Sequence, residues 1–149
     1  MHPFDVKSAL VAKHAQHVVL IHFPIALFVM GVVFDGMAQW TKSRALAAAA
    51  YYNVLAAAIS TVPALATGVL AWQWALEGHK IKGILLLHLV SALVSSTLIW
   101  IAGWLHFRAG RGSGQPLPAL RLPLEFIAVA LVGLTGHLGG FLSGVNLPG

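Results

Sequence analysis

The sequence predicts an all-α polytopic membrane protein, a four transmembrane helix up-down bundle, and three observations carry that prediction. Hydrophobic residues make up 58% of the chain and charged residues only 9%, against about 25% charged in a soluble domain. Mean hydropathy is +0.84. The apolar residues collect in four stretches, each long enough for the roughly 20 residues that cross the hydrocarbon core. At 149 residues one bundle takes up the whole chain, 1–149, as a single domain.

The formal charge of +5 sits on basic residues in short connections, which points to topology and anionic headgroups rather than to nucleic acid. The chain has no cysteine. That excludes disulfides, thiolate metal sites, iron–sulfur clusters and covalent c-type haem. Any metal or cofactor must be held by histidine, carboxylate, methionine or backbone.

Residues 1–15, MHPFDVKSALVAKHA, read as an amphipathic lead at the interface. They lack the cleavage pattern of a signal peptide, so the apolar run that follows is a retained span. The first span is expected at 16–40, with Pro24 kinking it below His17. Asp35, Gln39 and Trp40 mark its far end. After the polar turn Thr41–Arg44, a second span is expected at 45–76, alanine-rich, with Tyr51 and Tyr52 at one end and Trp72 and Trp74 at the other. Such aromatic ends belong at the two headgroup levels. Glu77–Lys80 turn the chain into a third span at 81–107, closed by Trp100, Trp104 and His106. Residues 108–119 combine glycine, proline and arginine and read as a loop. The fourth span is expected at 120–142, with Pro123 near its first turn, where proline costs little.

Four spans place both termini on one side. Lys42, Arg44, Arg108, Arg111 and Arg121 face the other side, against Lys7, Lys13, Lys80 and Lys82 on the terminal side. The positive-inside rule therefore puts the termini on the periplasmic side of a bacterial inner membrane.

Histidines carry the chemistry. His22 lies near the start of the first span, His88 near the start of the third and His137 near the end of the fourth. At 1.5 Å per residue all three lie roughly 6–10 Å below the terminal-side interface. His14 and His17 stand above them. In an up-down bundle the first and third spans are diagonal, so His22 and His88 are expected to face each other at the separation two imidazoles need to sandwich a haem iron. Small residues, Ala57, Thr61, Ala64 and Gly68 on one span and Gly133, Gly136, Gly140 and Gly144 on another, mean close packing or a slot for a flat ring. Ser91 and Ser95 follow His88 at helical spacing and turn that face inward. The plainer reading makes each histidine an interhelical hydrogen-bond partner; ionisable groups inside spans are nonetheless functional candidates by default. His106 is five turns from His88, about 27 Å, and reads as interfacial. Asp35, Glu125 and Arg121 read as interfacial anchors or a loop salt bridge.

The run His17-Val18-Val19-Leu20-Ile21-His22-Phe23-Pro24-Ile25-Ala26-Leu27 with Asp35, the early His88, and the closing Gly136-His137-Leu138-Gly139-Gly140 resemble a bacterial membrane family known as domain of unknown function 2231. The likeness covers nearly the whole chain. It departs from the family at Val18, where members often have proline, and at the tail Phe141–Asn146, where many read Tyr-x-x-Gly-Val. The resemblance implies a b-type cytochrome working beside c-type cytochromes and membrane-associated dehydrogenases.

Together these readings give one leading expectation, an electron-transfer subunit of a respiratory oxidoreductase rather than a stand-alone enzyme. Haem b would be ligated by His22 and His88, with His137 and His17 hydrogen-bonding its propionates or a quinone or quinol headgroup, or with one of them replacing a ligand. The chain would work as an oligomer or a subunit of a larger complex. A histidine-ligated copper or zinc site and a cofactor-free structural subunit are the alternatives.

Overall fold

The computed structural model describes residues 15–110 and 118–144, and these residues are helical throughout except for short turns. Helix α1 covers Ala15–Leu20 and α2 His22–Thr41. Helix α3 covers Arg44–Ala75, α4 Ile84–Gly110 and α5 Arg121–Leu142. Four candidate spans result: Gln16–Thr41, Arg44–Trp74, Ile84–Gly110 and Arg121–Leu142. The predicted lead, His14, Arg111 and the end of the tail lie outside the described residues.

Local chemistry explains the boundaries. Pro24 has no N–H to give the Leu20 carbonyl, and the helix breaks one residue later, at Ile21, dividing α1 from α2. Lys42 takes a left-handed φ of 58° and ends α2. Ser43 caps α3, its hydroxyl accepting from the Leu46 N–H at 3.4 Å. Gly83, at φ 58°, delays the third span to Ile84 rather than the expected 81. Pro63 sits within α3 without ending it.

The spans pack in a ring, each against its sequence neighbours, with the fourth closing on the first. The first and second form one tightly packed hairpin, the third and fourth another. Phe28, Val32, Val54, Ala57, Ala58, Ile99, Ala102, Ala128 and Val132 make the core. Larger apolar side chains such as Val33, Ile59, Val62, Phe126 and Ile127 are exposed. A bundle that turns small residues inward and large ones outward is built for lipid rather than water.

Contacts between the hairpins concentrate at the end away from the termini. There Trp100 donates its indole N–H to the Thr61 hydroxyl at 3.0 Å, so Trp100 is more than a belt residue. Gly103 lies against Ala58, and Gly110 against the Tyr51 ring. Toward the terminal end the hairpins splay.

Candidate functional site

The splay leaves a cavity of about 600 Å³, lined by all four spans and almost wholly apolar. Two histidines line it, His17 and His88. The His17 ring donates from Nδ1 to the Ala64 carbonyl at 3.1 Å, with the Thr67 hydroxyl at 3.3 Å. The His88 ring donates from Nδ1 to the Thr135 carbonyl at 3.0 Å. A carbonyl can only accept, so in each neutral ring the proton sits on Nδ1 and the lone pair on Nε2. Neither Nε2 has a hydrogen-bond partner among the described residues. An imidazole held by its Nδ1–H against a backbone carbonyl is oriented and made more basic as a metal ligand through Nε2.

Each ring also rests on a bare glycine. A Cβ on Gly68 would lie 3.0 Å from His17 Cε1, and one on Gly139 would lie 3.2 Å from His88 Cε1. The two arrangements are the same arrangement. Both ring-to-carbonyl bonds span 47 residues of sequence, and each histidine precedes its glycine by 51 (68 minus 17, 139 minus 88). The first hairpin thus recurs 71 residues later (88 minus 17). Buried Phe28 and Ile99 stand in this relation, as do buried Ala57 and Ala128. Parallel first and third spans in a ring make the repeat a rotation about the bundle axis. His17 and His88 line the same cavity, one from each hairpin.

Of the expected facing pair, His88 lines the cavity and His22 does not; the histidine that lines it from the first span is His17. His22 is exposed, and its Nδ1 donates to the Val18 carbonyl of the preceding turn at 2.6 Å. Five residues rotate a side chain by about 140° around a helix, so His17 and His22 cannot share a face. His137 is exposed too, its ring edge-on to Phe141 at 5.0 Å. Ser91 and Ser95 are buried, as their spacing predicts. On the fourth span the functional glycine is Gly139; Gly133 and Gly136 have open space where a Cβ would stand.

A second polar group lies at the opposite end, inside the bundle. Arg121 donates through Nε to Asp35 Oδ2 at 2.8 Å and through Nη2 to Oδ1 at 3.1 Å, joining the fourth span to the first. His106 Nε2 lies 2.9 Å from Glu125 Oε1. Asp35, His106, Arg121 and Glu125 are all buried. The expectation of an interfacial His106 is therefore corrected, and of the two readings of Asp35, Arg121 and Glu125 the salt bridge is the one found, between Asp35 and Arg121, buried between two spans rather than in a loop. One ligand atom each from Asp35, His106 and Glu125 lies within 4.8 Å of the others, so the three could hold a metal ion. A signal for the cluster was available in the four-residue spacing of Arg121 and Glu125, which puts both charges on one helix face.

Comparison with known proteins adds a family and nothing finer. The model of a family described as "Predicted membrane protein (DUF2231)" matches residues 13–145. No curated protein and no solved structure matches the chain.

Proposed function

We propose that this chain, which belongs to the DUF2231 family of membrane proteins, is a haem b electron-transfer protein whose iron ligands are His17 and His88. The observation that carries the reading is the repeated arrangement of ring, carbonyl and glycine. Two imidazoles in the same tautomer, each with Nε2 as its lone-pair nitrogen, line one apolar cavity and would be the residues to hold the haem there. The cavity volume of about 600 Å³ falls in the roughly 300–1,000 Å³ range of cofactor sites. Ligated on both faces by neutral imidazole, haem iron supports electron transfer rather than oxygen chemistry.

The chain's own residues perform three tasks in this reading. Ala64 and Thr135 fix the tautomer and angle of the two rings. Gly68 and Gly139 let the rings lie against the helix walls, leaving the axis clear. Apolar side chains such as Ile25, Leu89 and Val132 keep water from the space between. Exposed His22 and His137, on the outer surface near this end, are placed to meet a quinol or a redox partner such as a c-type cytochrome. With the termini periplasmic, that exchange would occur on the outer side of a bacterial inner membrane. The three-imidazole copper or zinc alternative loses support, because two of its ligands face outward.

The test is a reduced-minus-oxidised spectrum of the purified protein, expected to show paired α and β bands. His17→Ala and His88→Ala should each remove or broaden them, while His22→Ala and His137→Ala keep them. Absence of the bands in the wild type overturns the haem assignment. Their loss in His22→Ala with retention in His17→Ala overturns the ligand assignment.

A further inference from the structure

We infer that His106 and Glu125 form an intramembrane proton-binding site, with one proton carried on the Glu125 carboxyl. The inference is independent of the haem reading, because it concerns the opposite end of the bundle and its readout needs no cofactor.

Glu125 is fully buried, at 0% exposure, and lies inside the fourth span. Its Oε1 meets His106 Nε2 at 2.9 Å, while Oε2 is buried with no hydrogen-bond partner among the described residues. An ionised carboxylate oxygen left bare in the interior costs several kcal/mol or more, whereas a neutral acid costs far less. Neighbouring charges support the same assignment. Asp35, from the first span, has both oxygens occupied by Arg121 from the fourth, and that pair sums to zero. At the repeat-equivalent positions of the second span, Ala50 and Val54 bring no ionisable group. Among the described residues buried at this end, His106, from the third span, and Glu125 are the ionisable groups left to balance. They are neutral together only when they share one proton.

The contact of 2.9 Å between Oε1 and His106 Nε2 joins the carboxyl to the imidazole, and a neutral acid beside a neutral imidazole satisfies it whichever of the two donates. The pair can then take up or release a proton without disturbing the Asp35–Arg121 link. A divalent cation bound by the same residues would instead add two charges to a cluster that already holds Arg121, leaving a net positive charge in the membrane interior. Electroneutrality therefore favours the proton over the metal ion.

Infrared spectroscopy of the purified full-length protein in detergent tests this directly. A carboxylic-acid C=O band that shifts to lower frequency in D₂O is expected, and it should vanish in the isosteric Glu125→Gln. His106→Gln keeps a hydrogen-bonding partner for Oε1, so the band should persist at a shifted frequency. Asp35→Asn should abolish the band although Glu125 is intact, because Arg121 then needs the Glu125 charge. No such band in the wild type, or one that survives Glu125→Gln, overturns the proposal. So does copurifying zinc or copper at one ion per chain that is lost in Glu125→Gln, which would make the cluster a metal site.

Discussion

Removing Arg121 tests most directly how the two hairpins are held together. The Asp35–Arg121 pair is nearly inaccessible, with side-chain exposures of 3% and 9%. It makes two charge-assisted hydrogen bonds across the bundle. Each such bond contributes about 1.5–3 kcal/mol, and breaking a buried pair by deleting one partner costs about 3–5 kcal/mol. Arg121→Met should therefore shift the unfolding equilibrium by about 100- to 4,000-fold. Asp35→Asn should cost less, because Glu125 can supply the negative charge that Arg121 loses. The double variant Asp35→Leu/Arg121→Met leaves no orphaned charge, and should recover to within about 1 kcal/mol of wild type or exceed it. The assay is equilibrium denaturation in mixed micelles, followed by circular dichroism. Single-variant costs below about 1 kcal/mol, or a double variant that loses the sum of both, would refute a buried hairpin-to-hairpin pair.

Other predictions address the cavity and the core. Gly68→Ala and Gly139→Ala should each push a histidine ring off its carbonyl, weakening a hydrogen bond of about 0.5–1.5 kcal/mol and lowering haem retention on dilution. Gly133→Ala, with open space at its Cβ and outside the cavity lining, should leave retention unchanged and serves as the control. Phe28→Ala removes the largest fully buried side chain. Its cost should sit at or below the lower end of about 3–5 kcal/mol, since the unfolded chain in lipid gains little by hydrophobic burial; micelle denaturation measures it. Ser43→Ala should lower stability by about 0.5–1 kcal/mol through loss of the helix cap, in the same assay.

The four spans were legible because hydropathy and length alone decide what crosses a bilayer, and the ring of short-looped helices follows from their order. Helix phase was not legible to the same degree. His22 seemed the natural ligand when depth was counted from the first strongly apolar residue. The chain is already helical at Ala15, the first described residue, and the break at Ile21 sits between the two histidines. His17 and Pro24 then share the cavity face, two turns apart, while His22 faces outward. The polar end was misread for a related reason. Asp35, His106, Arg121 and Glu125 lie near span ends, where charges usually reach water, and only the close approach of four helices turns them inward. Hydropathy records how deep a residue sits but not which way it points.

The repeat explains why the two ends of the bundle differ. At the terminal end both hairpins keep the same parts, His17 with Gly68 and His88 with Gly139. At the other end the equivalence is broken on purpose-specific positions: Asp35 answers to His106, Ala50 to Arg121 and Val54 to Glu125. A symmetric pair of acids there would repel across the axis, and a symmetric pair of arginines would do the same. Only unlike groups can close the bundle with charges that cancel. Small residues such as Ala58 and Gly103 let the two hairpins touch, while the cavity lies between them toward the terminal end. The polar cluster thus ties the first hairpin to the second, and the histidine cavity lies between the same two hairpins. A change that loosens the cluster should alter the spacing of the imidazoles in the cavity.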